Sequence, residues 1–413
     1  MPDSAAGPAE RVPGAGSQQA LREANTRRVL QALADTGPMT QAALSRATGL
    51  SAATISNIVG SLRGEGVLTT RPTTSSGRRA TLVELGAARH KVAAGIDIGR
   101  RHLRVILSTV RRTVLAEEAT ELPLGHTAED SIAAADRLLT RLLSEAGLAR
   151  QDVVGAGVGI PGPIEARTGR IAHGVILPAW VGFRPDERLR AALGLPVYID
   201  NDANLGALAE VTWGEHVDAP HLIYIKMGTG IGAGLVLSGQ VYRGEMGITG
   251  ELGHIPVLDR GEVCRCGNRG CLETVASTSV MIEALERSDA LSLQRGAQPA
   301  GEVGRLIEAV AADDPAAGRI VEDAGAALGQ VLGGAINLLN PSVVVIGGPL
   351  VPLGEAILGP VRRGLRRYAS PTVGQATRVV VSTLGDRAEA LGACSLVFQH
   401  AGAEAWLSDL PRA

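Results

Sequence analysis

Apolar and polar residues alternate with helical spacing from Leu21 to Ala34, whereas residues 1–17, rich in Ala, Gly, Pro and Ser, carry no such pattern and read as a disordered leader. The stretch TQAALSRATGLSAATISNIVGSLRGEGVL then predicts a short helix from Thr40 to Ala47, a turn at Gly49, and a second helix with Ser51 as N-cap. In that second helix Ile55, Ile58, Val59 and Leu62 recur at i, i+3, i+4 and i+7, which makes one buried stripe. The opposite face carries Ala53, Ser56, Asn57 and Gly60, all small or polar. Two short strands follow, Val67 to Arg71 and Ala80 to Leu85, around the tip TTSSGRR.

Helix, turn, helix and basic hairpin in this order predict a winged helix-turn-helix over residues 18–88. Small polar side chains let a helix lie close in a DNA groove and hydrogen-bond to base edges. Ser51, Ala53, Thr54, Ser56 and Asn57 are therefore candidate base contacts, and Arg78 and Arg79 on the wing are placed to reach phosphate or a minor groove. The competing reading is a helical hairpin used for protein contacts. The turn glycine, the stripe and the basic wing together favour DNA.

From Val92 onward the pattern changes to apolar runs of strand length, glycine turns and long Ala/Leu-rich helices. VAAGIDIG, VVGAGVGIPG, PVYIDND, HLIYIKMGTGIGAGLVL and SVVVIGG read as strands, and Ala128 to Ala146 and Ala316 to Leu339 as helices. This alternation predicts an α/β domain over residues 89–413. No short-period repeat is visible.

Composition adds three points. The chain's 413 residues, 45% hydrophobic and 20% charged, suit a globular protein of two or three domains. Only Lys91 and Lys226 are lysines, so nearly all positive charge sits on arginine. The net charge of -2 hides an asymmetry: residues 1–91 carry 11 Lys+Arg against 6 Asp+Glu, and residues 92–413 carry 29 against 36. A basic head on an acidic body points to a polyanion partner for the head. There is neither a signal-type N-terminus nor an apolar run of spanning length, so a cytoplasmic location without membrane attachment is expected.

Of the four cysteines, Cys264, Cys266 and Cys271 cluster in GELGHIPVLDRGEVCRCGNRGCLE, too tightly for a disulfide framework. With His254 ten residues upstream they supply a tetrahedral Cys3His zinc site, closed to water and hence structural. Glu251 and Glu273 flank these ligands, and carboxylates on a rigid loop suit vicinal sugar hydroxyls. In VYIDNDANLGALAE a strand ends and releases Asp200, Asn201, Asp202 and Asn204 where α/β folds place ligands. MGTGIGAGLVLSG is a glycine-rich turn whose amides suit phosphate, a weak signal alone. Cys394 reads as a buried small apolar residue.

With these motifs the chain resembles the ROK family of repressors, open reading frames and kinases, from about Gln19 to the C-terminal helix. The most specific match is His254, Cys264, Cys266 and Cys271, in order and spacing. The resemblance implies a two-lobed actin/hexokinase-like fold: residues 92–200 with a C-terminal helix over 387–410 form one lobe, and residues 201–386 the other. It also implies that Asn201, Asp202, Glu251, His254 and Glu273 contact a sugar, with Asp202 at the position of the kinases' catalytic base. Gly162 matches the segment on the sugar's other side, where Val175 stands at a position often held by a hydroxyl residue.

Kinases of the family read Asp-x-Gly-Gly-Thr at the first phosphate turn. Here GIDIGRRHLRV keeps Asp97 and Gly99 but has Arg100 and Arg101 in place of Gly-Thr, which blocks close backbone approach to phosphate. Together with the winged helix this places the chain in the repressor branch, with Asp202 a vestigial base and no catalytic residue. The expected protein is a zinc-stabilised, sugar-responsive regulator of carbohydrate genes. It would bind a pseudo-palindromic operator as a homodimer or tetramer, with a monosaccharide or sugar phosphate as effector. Alternatives at this point are an ATP-dependent hexose kinase, alone or bifunctional, and a nucleic-acid scaffold with a dead sugar site.

Overall fold

In this computed structural model the apolar periods sort the chain into two compact units, residues 1–91 with 401–413, and Val92–His400. The structure describes residues 22, 25–26, 28–30, 32–33, 36–64, 67–75, 78–85, 91–165, 168–171, 177, 180, 184–292 and 301–401. The leader 1–17 lies outside them. So does part of the helix expected over Leu21–Ala34, whose described residues, 22, 25–26, 28–30 and 32–33, are all helical.

In the first unit β1 (Met39–Thr40) leads into α1 (Gln41–Thr48) and α2 (Ala52–Gly64), and β2 (Leu68–Ser75) and β3 (Arg78–Leu85) form the wing. The Thr40 hydroxyl caps α1 by accepting from Ala43 N–H, and Gly49, at φ 68, ends it. The expected stripe of Ile55, Ile58, Val59 and Leu62 is buried against Val29, Leu33, Leu44 and Val83. The wing strands are longer than expected. They pair from Leu68↔Leu85 out to Ser75↔Arg78, because Thr69, Thr70, Thr73 and Thr74 suit a pleated ladder and extend it.

The second unit holds two five-stranded sheets. The first comprises β4 (Val92–Ile98), β5 (His102–Thr109), β6 (Val114–Glu121), β7 (Val153–Ile160) and β8 (Val197–Asn201), in the order β6-β5-β4-β7-β8. Residues of α3 (Ala128–Glu145) and α4 (Pro185–Leu193) belong to this lobe's core. β4 and β7 are buried along their whole length, as continuous apolar runs require when helices cover both faces. The next elements are α5 (Asp202–Glu210), β9 (His221–Met227), β10 (Ile231–Leu237), β11 (Gln240–Tyr242) and α6 (Glu273–Ala276). Five helices and two strands follow: α7 (Thr278–Ser292), α8 (Gly301–Ala311), α9 (Pro315–Leu339), β12 (Val343–Gly347), α10 (Glu355–Tyr368), α11 (Pro371–Ala376) and β13 (Arg378–Val381). The second sheet has the order β11-β10-β9-β12-β13.

The chain closes with α12 (Ala388–His400), shorter than the helix expected over 387–410; residues 402–413 lie outside the described set. α12 returns to the first sheet against β4 and β7 and also packs on α5, which rests on β9 and β10. The sheets are thus joined through two closely packed helices. A Cβ at Gly157 would stand 2.0 Å from the Ala393 carbonyl oxygen, so only glycine lets α12 lie this close to the sheet. Cys394 is buried in the same seam. Among the described residues no helix is long and apolar enough to cross a membrane.

Candidate functional site

The face of α2 opposite the core is open. Ala53, Ser56, Asn57 and Gly60 are exposed, while Thr54 is half-buried. The Ser51 hydroxyl accepts from Thr54 N–H at 3.1 Å and lies 2.8 Å from the Thr54 hydroxyl. Those two side chains therefore cap the helix, leaving Ser56 and Asn57 as the polar groups without such a task. Arg78 and Arg79 are the first residues of β3, opposite Ser75 and Thr74 on the return strand of the wing.

In the second unit the metal motif forms a knuckle. Cys264 N–H donates to the Asn268 carbonyl at 2.7 Å and Gly267 N–H to the Cys264 carbonyl at 2.9 Å. Gly270 needs to be glycine: its φ is +66, and a Cβ would stand 1.8 Å from the Leu258 carbonyl oxygen. The ligand atoms of His254, Cys264, Cys266 and Cys271 lie within 4.8 Å of one another. Cys266 and Cys271 sulfurs are 3.8 Å apart, and Cys264 Sγ is 3.5 Å from His254 Nδ1. A tetrahedral ion with Zn–S of about 2.3 Å and Zn–N of about 2.0 Å spaces its ligands at about 3.8 and 3.5 Å, and these two pairs already stand at that spacing, so the donor set suits zinc. Burial, and then hydrogen bonds from the neighbouring thiols, pushes the Cys271 thiol up to about 12. Three thiols this close ionise together only with a cation among them.

The candidate sugar residues surround the ends of β8, β9 and this loop. Asn201 caps α5 through Oδ1, which accepts from Ala203 and Asn204 N–H, and its amide donates to the Gly162 carbonyl at 3.1 Å. Gly162 has φ 108, open to glycine. Val175, expected beside it, lies outside the described residues. Asp200 sits behind, taking Asn204 Nδ2 at 2.9 Å and Arg243 Nε at 2.8 Å. His254 turns Nδ1 to the thiols and Nε2 to Glu251, 3.5 Å away, the arrangement by which a carboxylate orients a ligating imidazole. Burial pushes the Glu251 carboxyl up, His254 draws it down, and the charges of Glu273 and Asp202 raise it again, so the three carboxylates share one neighbourhood. Glu273 is buried and engaged on both oxygens: Arg265 donates to Oε1 from Nε at 2.8 Å, and Ile231 N–H donates to Oε2 at 2.9 Å. A sugar hydroxyl reaching Glu273 would share it with an arginine held between two metal-site cysteines.

The first phosphate turn is a tight hairpin in which Gly99 N–H donates to the His102 carbonyl at 2.8 Å. Arg101 points to Glu302 of α8, 3.1 Å away and largely exposed. His102 fills the turn itself: a Cβ at Gly99 would stand 2.0 Å from its ring, whose Nε2 is 2.8 Å from Asp97 Oδ2. The obstruction was expected from Arg100 and Arg101; the side chain whose ring lies against Gly99 is a histidine that carries no motif signal in the sequence.

Burial would lift the Asp97 carboxyl, but Lys226 and His102 bring it down to about 2, while the Asp97 charge outweighs burial to raise His102 above its ordinary 6.5. The His102 contribution to stability is complete below pH 6.5 and fades as pH rises through the higher folded value; that of Asp97 is present above 3.8 and is lost as pH falls through about 2. Because the His102 side chain is 47% exposed, screening keeps the effect small. The thermal stabilities of wild type and His102→Gln should differ most below pH 6.5 and converge as pH is raised. A gap independent of pH would count against this pairing.

The other residue not foreseen is Lys226, at the end of β9. Its ammonium donates to Asp202 Oδ2 at 2.9 Å and lies 3.6 Å from Glu389 Oε1, which also accepts from the Tyr224 hydroxyl at 3.1 Å. The signal was in the composition: one of two lysines in an arginine chain, placed just before the glycine-rich turn.

A winged-helix unit followed by two α/β lobes, with a Cys3His loop beside a group of carboxylates, defines a DNA-binding type of head on a sugar-kinase type of body. The chain belongs to the ROK family, which matches residues 93–400; residues 24–79 match the MarR family. It is 28% identical over 393 residues to the xylose repressor of Caldicellulosiruptor bescii, covering 92% of this chain and 97% of that protein. It is 34% identical over 321 residues to the glucokinase of Halalkalibacterium halodurans, covering 74% and 94%. Among solved structures, a ROK family transcriptional regulator described as a homologue of the E. coli MLC protein superposes with a TM-score of 0.76 at 26% identity, covering 94% of this chain and 98% of that one.

Proposed function

We propose that the protein is a sugar-responsive, DNA-binding transcriptional repressor of carbohydrate-metabolism genes. The observation that carries this reading is the exposed Ser56–Asn57 face of α2, on a winged helix whose other face is fully committed to its own core. Likeness to a xylose repressor and to a transcriptional regulator, each along more than nine-tenths of the chain, supports it. Ser56 and Asn57 read base edges, with Ala53 allowing close approach, and Arg78 and Arg79 grip the backbone or minor groove. A pseudo-palindromic operator calls for two heads, hence at least a homodimer.

One zinc ion per chain would be held by His254 Nδ1 and the sulfurs of Cys264, Cys266 and Cys271, where it serves as a structural pin. Asn201, Asp202, Glu251, His254 and Glu273 then receive a monosaccharide or its phosphate, and preferential binding to one lobe arrangement shifts the DNA-binding equilibrium. The kinase reading is favoured by the glucokinase likeness and by Asp202, and is opposed by Lys226 on Asp202 and His102 in the phosphate turn.

Fluorescence anisotropy with operator DNA across a salt series tests the head. Arg78→Ala/Arg79→Ala should bind more weakly at every sequence and flatten the log–log salt slope by about 0.9 for each phosphate that is no longer neutralised. An unchanged slope would remove the wing from the interface. A thermal-shift screen of sugars and sugar phosphates tests the body, and the absence of any stabilising sugar would leave only the scaffold reading.

A further inference from the structure

The metal loop holds three of the chain's four cysteines, and only one of them faces solvent. Cys264 and Cys271 are 2% and 0% exposed, whereas Cys266 lies in an exposed run from Arg265 to Arg269. The Cys266 sulfur is 3.8 Å from that of Cys271. A disulfide holds its sulfurs at about 2.05 Å, so a closure of less than about 2 Å would join this pair.

The backbone keeps the two sulfurs together by its own hydrogen bonds. Cys264 N–H on the Asn268 carbonyl and Gly267 N–H on the Cys264 carbonyl close the turn that carries Cys266. On either side of Cys271, Gly270 N–H donates to the Glu262 carbonyl at 2.8 Å and Leu272 N–H to the Ile255 carbonyl at 2.9 Å. When an exposed thiol sits on a fixed turn with a second thiol held behind it, an oxidant reaches the first sulfur and the second resolves it before further oxidation. Cys394 has no such setting: it is buried, and its thiol faces the Ala93 and Ile106 carbonyls.

We propose that Cys266 and Cys271 form a peroxide-responsive dithiol. The Cys266 sulfur attacks one oxygen of hydrogen peroxide and the O–O bond breaks. The sulfur keeps a hydroxyl as a sulfenic acid, and the other oxygen leaves as hydroxide, which takes up the thiol proton to become water. The Cys271 sulfur then attacks the Cys266 sulfur, the S–O bond breaks, and the hydroxyl leaves with the Cys271 proton as a second water. The two sulfurs have lost two electrons and the peroxide has gained them; glutathione restores both thiols by exchange. Two of the four proposed zinc ligands are consumed, so oxidation frees the ion and unpins the loop on which Glu251 and Glu273 lean. That release rests on the zinc site proposed above, whereas the disulfide rests on the sulfur pair alone.

Hydrogen peroxide added to the zinc-loaded wild-type chain tests this without sugar, DNA or a substitution that could unfold the loop. Released zinc is read with a chelating dye, and after free thiols are blocked the chain is digested and its peptides are weighed. Trypsin cuts after Arg260, Arg265 and Arg269, which puts Cys264, Cys266 and Cys271 on three different peptides, and after Arg387, which puts Cys394 on a fourth. The linked pair is therefore read directly. The peptide from Cys266 to Arg269 should be joined to the one that begins at Gly270, with the loss of two hydrogens. Thiols counted in the denatured chain should fall from four to two, one zinc ion should be released for each link formed, and glutathione should reverse the link. A link that forms while zinc stays bound would refute the zinc ligand set and leave the dithiol standing. Oxidation of Cys394 as fast as that of Cys266, a link through the Cys264 peptide instead, Cys266 carried on to a sulfinic acid, or four unreacted thiols would each overturn the proposal.

Discussion

Replacing Cys264 by serine should leave the protein with almost no zinc after dialysis, against one ion per chain in wild type. Cys264 is buried, its sulfur is 3.5 Å from His254 Nδ1, and a serine hydroxyl does not replace a thiolate at that distance. Structural zinc sites contribute about 10–16 kcal/mol in small domains, as much as the roughly 5–15 kcal/mol net stability of a typical fold, so the order of the loop should depend on the ion. Two carboxylates of the proposed sugar site lean on that loop, Glu251 through His254 and Glu273 through Arg265. The sugar-induced thermal shift should therefore vanish in Cys264→Ser. DNA binding without sugar should persist, because the head has a separate core of its own. Full zinc occupancy in the variant would refute the ligand set.

The second large effect is the absence of a reaction. With Mg-ATP and a panel of hexoses the purified wild-type chain should show no phosphorylation above background, where kinases typically turn over at about 1–100 s⁻¹. Phosphoryl transfer is mostly positioning: a base must meet the attacking hydroxyl, and amides and a metal must hold the nucleotide. Here Asp202 Oδ2 already accepts from Lys226 at 2.9 Å, and the His102 ring covers Gly99 in the first phosphate turn. Asp202→Asn should nevertheless weaken the sugar-induced thermal shift, because the side chain still offers an oxygen to a hydroxyl but loses its charge and its grip on Lys226. ATP-dependent phosphorylation of any hexose by wild type would falsify the repressor-only reading.

How much of this was legible beforehand follows the range of the interactions. The stripe Ile55, Ile58, Val59, Leu62 is a local period, and it is buried as the period requires. The strand-length apolar runs of β7 and of β4, broken there only by Asp97, likewise pointed to an α/β body, and both strands are buried along their length. The CxC spacing with His254 upstream could be read as a metal motif because ligand geometry is nearly encoded in so short a loop. The role of Arg265 could not be read, since lying between two cysteines does not say which way a side chain turns, and here it turns onto Glu273. For the same reason the capping duty of Ser51 was visible in the sequence, whereas the second partner on its hydroxyl, Thr54, was not.

The two-part organisation, the α/β class of the body, the metal-binding motif and the family were thus readable from the chain, because each rests on period or on spacing within a few dozen residues. What becomes of the charges depends instead on the fold. Asp202, Lys226 and Glu389 are far apart in the chain and meet because α12 returns to lie between the lobes against α5 and β4. A buried lysine at the end of an apolar strand has no periodic signature. Its meaning depends on which carboxylates the fold brings within 4 Å of its nitrogen, here Asp202 and Glu389.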